Sequence, residues 1–469
     1  MPAKVPKQPL HPKRSRQAGT AASGVGTPKA VVQPQFAEPQ ATPDPQKFLV
    51  RHPSDTPAYK ILDTTPHLPP LAFDAPRGLP EPVMRLEEAL GKDGSATVNK
   101  IKANGQIVFH SVGDTGNTRS THPQSLVADK MVSDFDEMEA KDIPAFYYHL
   151  GDVVYSFGEA NYYYDQFYEP YRDYPAPIFA IPGNHDGMLS PLTPGAASLA
   201  AFYDNFCSPG PAPRITKEAG GLPRTAMQQP GVFFTLEAPF VRILGLYSNR
   251  LESPGVIAAP AIGNSQLDFL DAALSRASKD LKNSALIIAV HHPAYSSGGK
   301  HPGSPDMLRQ IDAACEKAGI WPHAVLSGHA HNYQRFTRIR NVGTKNETQV
   351  PYVTCGNGGH NVTKLTHANS PALRTPLRET RQEQGNSEQV ILESYDDTNY
   401  GYLRIIADSQ QLRIEYHPQA DGSTSKTPDD FVTLDLGTRQ IVHYRPMAQT
   451  LADVPQTRTA GHTVRRARA

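Results

Sequence analysis

Five short polar clusters constrain the fold of this chain more than any other feature, because each directly follows a run of residues typical of a β-strand. The clusters are Gly113–Gly116, Gly151–Tyr155, Gly183–Asp186, His291–Pro293 and Gly328–Arg335. In open α/β sheets, ligands bind in the crevice outside the carboxyl ends of the strands. The sequence therefore predicts that five loops, which are far apart in the chain, meet at one place.

The segments between the clusters alternate between strand-like and helix-like patterns. The predicted strands are Gln106–Val112, Ala145–Leu150, Ile178–Ile181, Gly231–Leu236, Val241–Tyr247, Ala285–Val290, Ala324–Ser327, Val350–Thr354 and the hairpin Gly401–Ala407 with Gln411–His417. The predicted helices are a short one near Glu81–Leu90 and three longer ones, Ser125–Ala140, Gln266–Ala277 and Pro305–Ala318. This alternation predicts a sheet core with helices outside.

The chain has 469 residues, and this length predicts either two or three domains or one large domain with tails. Residues 1–46, rich in Pro, Gln, Ala and Lys/Arg, are predicted to be a disordered tail. We expect residues 47–104 to be an irregular, Pro-rich segment that wraps the next domain. Residues 105–445 are predicted to form that domain, and residues 446–469 a disordered basic tail.

Composition argues against several classes of partner and compartment. The formal net charge is zero, so there is no overall bias toward nucleic acid or an anionic membrane, and we predict neither as a partner. No run approaches the roughly 18 apolar residues that span a bilayer, and no apolar signal stretch follows the basic residues near the start. Three cysteines are too few, and odd in number, for a disulfide framework. We therefore expect a cytoplasmic protein.

The polar clusters supply oxygen and imidazole donors without thiolate. The candidate residues are Asp114, Asp152, Tyr155, Asn184, His185, His291, His292, His329 and His331. Such donors suit Zn, Mn or Fe, and a phenolate oxygen favours a highly charged ion such as ferric iron. The donors are too many for one four-coordinate ion. Two metal ions that share a bridging carboxylate, with its two oxygens, account for the number better.

Each cluster alone also has a structural interpretation. A Gly-Asp pair after a strand is commonly a turn, Asn184–Asp186 could cap a helix, and His291–Pro293 could be satisfied histidines at a sheet edge. The Gly328–His331 block is more specific, because alternate residues of an extended loop point to one side and bring two imidazoles together. All five clusters in order, each after a predicted strand, make coincidence implausible.

The five blocks resemble those of the calcineurin-like metallophosphoesterases, and their variants resemble the purple acid phosphatase branch of that family. Gly113–Gly116 matches G-D-x-G, Gly151–Tyr155 matches G-D-x-x-Y, and Gly183–Asp186 matches G-N-H-[DE]. Ile288–His291 fits V-x-x-H with Ile in place of Val, and Gly328–His331 matches G-H-x-H. The resemblance spans residues 106 to 418. It implies an α/β (α+β) fold, a four-layer sandwich of two mixed β-sheets flanked by helices.

The resemblance also implies two metal positions. A ferric site would use Asp114, Asp152, Tyr155 and His331. A divalent site for Fe, Zn or Mn would use Asp152, Asn184, His291 and His329. Asp152 would bridge the two ions, and a metal-bound hydroxide would attack the phosphorus in line.

Three further histidines are candidate catalytic residues. By resemblance, His185 would face the phosphate and stabilise its charge, and His301 would protonate the leaving group. His292 is placed with them, although a supporting or purely structural role fits it equally well.

The expected activity is hydrolysis of small phosphate monoesters. A phosphodiesterase or nucleotidase with the same dinuclear site is the alternative. A non-catalytic binding protein is a remote third interpretation, supported only by the basic ends of the chain. The physiological substrate and the oligomeric state are not predicted.

Overall fold

The computed structural model describes residues 33–36, 48, 52, 56–65, 68–137, 139–193, 195–208, 215–222, 224, 228–297, 300–365, 377–383, 386–419 and 427–442. The predicted tails, residues 1–46 and 446–469, lie outside these ranges apart from residues 33–36. None of the helices in the described ranges is long and apolar enough to cross a bilayer. Cys207, Cys315 and Cys355 are buried and form no disulfide with one another.

The strands of the described residues are, in chain order, β1 Val83–Arg85, β2 Gln106–Val112, β3 Pro144–His149, β4 Ile178–Ala180, β5 Phe234–Ala238, β6 Val241–Leu246, β7 Ala285–Val290, β8 Ala324–Ser327, β9 Tyr333–Arg340, β10 Thr348–Cys355, β11 Leu377–Glu383, β12 Asn386–Asp396, β13 Gly401–Asp408, β14 Gln411–Pro418 and β15 Asp430–Asp435. The α-helices are α1 Thr56–Asp63, α2 Leu86–Ala89, α3 Gly94–Asn104, α4 His122–Ser133, α5 Asn184–Gly187, α6 Ala200–Phe206, α7 Ser265–Asp280 and α8 Pro305–Ala318.

The strands form two mixed sheets. Sheet one has nine strands in the order β1-β5-β6-β7-β8-β10-β9-β12-β11, and sheet two has six in the order β15-β14-β13-β2-β3-β4. Within sheet one, β6, β7 and β8 are parallel neighbours. Within sheet two, β2, β3 and β4 are parallel neighbours. Each sheet therefore presents the carboxyl ends of a group of adjacent parallel strands along one edge.

The two sheets pack face to face and bury apolar side chains of both in one core, which removes those side chains from water. Tyr148 on β3 lies against Phe234 on β5, with 6.3 Å between ring centroids. Outside sheet one, α7 packs through Phe269 against Phe233, and α8 packs beside α7. Outside sheet two lie α3 and α4. The molecule is thus a mixed α/β sandwich of two sheets flanked by helices, as the sequence predicts.

The predicted elements agree with the structure most closely where the apolar pattern is strongest. β2, β7, β8 and α8 begin and end at the predicted residues. The predicted helix Ser125–Ala140 instead ends at Ser133. The carboxylate of the next residue, Asp134, is buried and accepts hydrogen bonds from His110 Nε2 (2.9 Å) and the Tyr402 hydroxyl (2.8 Å). This tertiary anchor replaces the last helical turn with a short 3-10 turn.

The segment 47–104 is more regular than its Pro-rich composition indicates. Its described residues contain α1, α2 and α3, and the strand β1 pairs with β5 at the edge of sheet one. The helix predicted near Glu81–Leu90 shrinks to Leu86–Ala89, because Val83–Arg85 pairs with Thr235–Glu237 as a strand. The segment thus contributes to the sheet rather than only wrapping it.

The sequence pattern did not predict strand β9, because its three arginines make the segment polar. Arg338 is nevertheless buried, since its guanidinium donates to Asp312 on α8 at 2.8 and 2.7 Å and to Glu388 on β12 at 3.0 Å. Burial of an unpaired charge would be costly, whereas these two carboxylates satisfy it. The Arg338 ion pairs therefore hold α8 and β12 to β9 of sheet one.

Replacing Arg338 by Met is expected to destabilise the fold by about 3–5 kcal/mol, because it leaves the buried Asp312 carboxylate without its cation and Glu388 with Arg340 alone. Arg309→Met is the matched control, since Arg309 on α8 pairs with Asp306 alone among the described residues and its side chain is 63% exposed. It should cost less than about 1 kcal/mol. Urea unfolding of the three proteins measures both values. Equal midpoints for the two variants would show that the buried ion pairs do not stabilise the fold.

Candidate functional site

The five polar clusters follow strands of both sheets and meet where the sheets' edges adjoin. Asp114, Asp152 and Asn184 follow β2, β3 and β4 of sheet two. His291 and His329 follow β7 and β8 of sheet one. Backbone hydrogen bonds join neighbouring loops, from Asp114 N–H to the Gly151 carbonyl (2.9 Å) and from Gly328 N–H to the His291 carbonyl (2.9 Å). The sandwich thus brings donors from two sheets to one site.

Three residues of the site have backbone conformations that residues other than glycine seldom adopt. The φ angles are 55° at Asp114, 56° at Asp152 and 64° at His329. Such left-handed conformations cost free energy and concentrate at functional sites. Packing also leaves no room beside the carboxylates: a Cβ at Gly183 would collide with the Asp152 side chain, and one at Gly328 with the Asp114 side chain. The loops are therefore shaped around the two aspartates.

One group of donors, the Tyr155 set, consists of Asp114, Asp152, Tyr155 and His331. The Tyr155 hydroxyl lies 3.1 Å from Asp114 Oδ1, 2.9 Å from Asp152 Oδ2 and 3.3 Å from His331 Nε2. His331 Nε2 is 3.5 Å from Asp114 Oδ1. Four donor atoms, three oxygens and one imidazole nitrogen, thus converge on one point.

A second group, the Asn184 set, consists of Asp152, Asn184, His291 and His329. His291 Nε2 lies 3.3 Å from Asp152 Oδ2 and 3.1 Å from Asn184 Oδ1, which is itself 3.0 Å from His329 Nδ1. The ligand atoms of Asp152, His291 and His329 all lie within 4.8 Å of one another. His291 Nδ1 contacts the Leu150 carbonyl at 2.8 Å, which turns Nε2 toward the site.

Asp152 Oδ2 belongs to both sets, since it faces the Tyr155 hydroxyl and His291 Nε2. Its other oxygen, Oδ1, accepts the backbone N–H of His185 at 2.8 Å. The sequence led us to expect that the two oxygens would be divided between two ions. In the structure a single oxygen lies at the junction, and the second oxygen fixes the orientation of the carboxylate.

Without a cation, the acidic groups of the site oppose one another. Burial and the neighbouring Asp152 charge raise the pKa of Asp114. Burial also acts to raise the pKa of Asp152, but the charges of His291 and His185 outweigh it and the pKa is lowered. The pKa of Tyr155 is raised well above 10.0 by burial and by both aspartates. A bound metal ion would reverse the shifts of Asp114 and Tyr155, because it stabilises the charged forms of its ligands.

The histidines divide into one that is charged and several that are neutral. Burial lowers the pKa of His291, but Asp152 and Asp114 outweigh it and raise the value to about 9. Burial lowers the pKa of His331 to about 3. Burial and the surrounding histidines lower the pKa of His329 well below 6.5. Neutral imidazoles are the form that binds metal.

The donor geometry fits two metal ions. Donor atoms bound to one ion at about 2.1 Å lie about 3.0–3.4 Å apart, and the neighbouring donors of both sets are spaced at 2.9–3.5 Å. In addition, His329 Nε2 and Asn184 Nδ2 are buried and, among the described residues, have no hydrogen-bond partner. Aspartate, phenol, amide and imidazole donors suit Zn, Mn or Fe.

His185 and His301 lie at the outward side of the two sets. His185 is 7% exposed, and its ring lies 4.2 Å from that of Tyr155 between centroids. His301 is 5% exposed and packs 4.4 Å from His329 and 4.9 Å from His331. Its buried Nε2 has no hydrogen-bond partner in the described part of the chain. Both imidazoles are therefore placed to meet a ligand held by the two sets.

His292 is held differently. Its Nδ1 contacts the Ser248 hydroxyl at 2.6 Å, and its Nε2 contacts the Leu251 carbonyl at 2.8 Å. Its ring packs 4.0 Å from that of His329. Since both ring nitrogens are engaged within the protein, this geometry favours the supporting role for His292 over a direct catalytic one.

Two site residues were not found from the sequence. His360 stacks on Tyr155 at 3.8 Å and lies 4.8 Å from His331. The Gly356–Gly359 run just before it was a signal, because Gly356 and Gly358 pack directly against the Asp114 loop. Tyr59, whose hydroxyl lies 2.7 Å from His185 Nδ1, comes from α1. No sequence signal marks it, since the contact spans 126 residues of chain.

Known proteins resemble the chain in part. It is 23% identical over 310 residues to a protein of Arabidopsis thaliana described as probable inactive purple acid phosphatase 9. The match covers 64% of this chain and 45% of the relative, so the chain spans less than half of that relative's length.

Two solved structures overlap with much of the chain at low similarity. GAP50, the anchor in the inner membrane complex of Plasmodium, has a TM-score of 0.45 and 14% identity, covering 68% of this chain and 86% of its own. A conserved uncharacterized protein from Streptococcus pneumoniae, described as a predicted phosphoesterase, has a TM-score of 0.27 and 8% identity, covering 70% and 98%. Both scores are low, so the fold assignment rests on the strand order described above.

The family comparison covers the whole donor constellation. Residues 112–333 match the family described as calcineurin-like phosphoesterase. This range begins just before Asp114 and ends just after His331, and both donor sets lie inside it. The part of the chain that carries both donor sets is therefore similar to the calcineurin-like phosphoesterases, with Asp152 at the centre of its candidate metal site.

Proposed function

We propose that the chain hydrolyses small phosphate monoesters at a dinuclear metal centre. The observation that carries the proposal is the position of Asp152 Oδ2 between two donor sets, each with the spacing of a metal site. Ferric iron is proposed for the Tyr155 set, because a phenolate suits a hard, highly charged ion. Fe(II), Zn or Mn is proposed for the Asn184 set. When bound, two such ions polarise phosphoryl oxygens and lower the pKa of water.

The chain's own residues would orient the ester and handle its charge. His185 Nε2 lies 3.9 Å from Asp152 Oδ2, at the outward side of the site, where with both ring nitrogens protonated it would donate a hydrogen bond to a phosphoryl oxygen. Burial, with His331 and Lys300 nearby, lowers the pKa of His301 to about 2. A bound phosphate dianion would act against that lowering of the pKa and so favour a proton on His301 for the leaving oxygen.

Two other functions compete with this proposal. A phosphodiester or nucleotide substrate would use the same donors, and only the surroundings of the site would differ. A non-catalytic role is also a candidate, because the Arabidopsis relative is described as probably inactive. Against that role, this chain supplies all seven donor residues in the two sets.

The metal-loaded protein is expected to hydrolyse p-nitrophenyl phosphate faster than bis-p-nitrophenyl phosphate. Asp152→Asn should lower kcat by more than about 1,000-fold, beyond the roughly 10- to 100-fold typical for residues that only support a ligand. It should also remove bound metal, which elemental analysis measures. Asp268→Asn, at an exposed carboxylate of α7, is the control and should match the unchanged protein. A preference for the diester would favour the phosphodiesterase alternative.

The iron-loaded protein is expected to show a visible absorption band from charge transfer between the Tyr155 phenolate and ferric iron. Tyr155→Phe should abolish this band while leaving metal in the Asn184 set. Tyr164→Phe is the matched control, since Tyr164 hydrogen-bonds Glu169 away from the donor sets. A colourless, iron-free protein with full activity would contradict the ferric assignment.

Metal uptake by the metal-free protein is expected to strengthen as pH rises. His291, with a pKa of about 9 in the metal-free site, must lose its proton before Nε2 can bind an ion. Apparent affinity for Zn²⁺ should therefore rise about tenfold per pH unit from pH 6 toward 9, as one proton is released. Calorimetry in two buffers of different ionisation enthalpy measures that proton. An affinity that stays constant between pH 6 and 8 would show that His291 is already neutral.

A further inference from the structure

Helix α1, from the segment that precedes the catalytic domain, lies over the outward side of the metal site. The Tyr59 hydroxyl is 2.7 Å from His185 Nδ1, and the Ser156 carbonyl is 2.9 Å from the same nitrogen. A carbonyl can only accept, so the contact with Ser156 places a proton on Nδ1 and makes the Tyr59 oxygen an acceptor. The two contacts fix the plane of the His185 ring and turn Nε2 toward the donor sets.

A second contact anchors the same segment. His52 Nδ1 lies 3.2 Å from Gln166 Nε2, and Gln166 bonds both the N–H and the carbonyl of Tyr155 at 2.8 Å. Ala58 of α1 packs with Phe157 and Met188 in a small apolar cluster beside the site. α1 is therefore tied to the loops of both Tyr155 and His185.

A cavity of about 470 Å³ lies beneath α1. Three of its lining residues lie next to the site, and two of them, Tyr59 and Leu251, contact candidate site residues. Tyr59 bonds His185, Met188 directly follows helix α5 that carries Asn184 and His185, and the Leu251 carbonyl bonds the ring of His292. A larger cavity of about 550 Å³, lined by Arg85, Lys102 and Glu237 among others, includes none of the candidate site residues.

The lining of the smaller cavity indicates what it would accept. Leu62, Leu68, Met188 and Leu251 supply an apolar surface, whereas Arg250 and Glu252 bring opposite charges. An apolar ring with polar edges suits such a surface, while a strongly charged group of either sign would meet a like charge. The volume lies within the roughly 300–1,000 Å³ of small-molecule sites.

We propose that this cavity binds the leaving group of the substrate, and that the leaving group is an uncharged, ring-bearing alcohol. This inference rests on the proposed phosphoesterase function and names its substrate class. Tyr59 is a positioning residue that connects the cavity to His185. The segment before the catalytic domain thereby forms one wall of the substrate site.

The test fills the cavity and compares an ester that has a ring with one that has none. Leu62→Trp should raise KM for p-nitrophenyl phosphate by at least about tenfold, because the added ring takes the leaving group's space. KM for glycerol 2-phosphate and the inhibition constant of inorganic phosphate should change less than about twofold, because neither ligand has a ring to place there. Ile61→Trp is the matched control, since Ile61 lies on the same helix, is 42% exposed and does not line the cavity. It should change none of these values.

A second variant that fills the cavity distinguishes loss of leaving-group space from misfolding. Thr65 lines the cavity but is exposed, so Thr65→Trp should show the same selective rise in KM without disturbing the core. If both tryptophan variants leave KM for p-nitrophenyl phosphate unchanged, or raise the phosphate inhibition constant equally, the inference is overturned while the proposed function stands. If the unchanged protein hydrolyses neither ester, the proposed function fails and this inference with it.

Tyr59→Phe tests the positioning role separately. It keeps the ring but removes the hydroxyl that holds His185. We expect kcat for both esters to fall about tenfold, with KM and phosphate inhibition little changed, because His185 serves the shared phosphoryl group. A purely structural role would leave kcat unchanged, and that result would overturn the assignment of Tyr59.

Discussion

The position of the Asp152 carboxylate is the constraint on which the rest of the site depends. Its Oδ2 faces the Tyr155 hydroxyl and His291 Nε2, and its Oδ1 is held by the His185 backbone N–H. A buried carboxylate needs cations nearby, since burial otherwise penalises its charge, and in the metal-free site the charges of His291 and His185 meet that need. The left-handed backbone at Asp152, with φ of 56°, is the local cost of placing that oxygen at the junction.

The sandwich holds Asp152 in place from both sides. Sheet two carries Asp114, Asp152 and Asn184 on three neighbouring parallel strands, and sheet one carries the histidines on two. Neither sheet alone supplies a complete donor set, because the Tyr155 and Asn184 sets each draw on both. The buried Arg338 ion pairs join α8 and β12 to β9 of sheet one, and the buried Asp134 carboxylate joins the end of α4 to β2 and β13 of sheet two.

The sequence predicted the central strands well and pointed to polar residues that the structure brings together, because both patterns are local. Apolar runs such as Ala285–Val290 and motifs such as Gly328–His331 can be recognised from a few consecutive residues. It failed where residues are stabilised by distant partners. The arginines of β9 give it a polar sequence, and only the structure shows that Asp312 and Glu388 neutralise Arg338. Tyr59 belongs to no motif, and only the structure shows that α1 brings it to His185.

The sequence by itself thus determined the chemistry of the donors and the strands that they follow, since both depend on residue patterns within short stretches of chain. Only the tertiary structure decided which oxygen of Asp152 lies between the two sets, that His292 has both ring nitrogens engaged, and that Tyr59 reaches His185. Those facts depend on contacts between residues that are 33 to 126 positions apart. A local sequence pattern does not predict such contacts, because they form only when the sheets and α1 pack together.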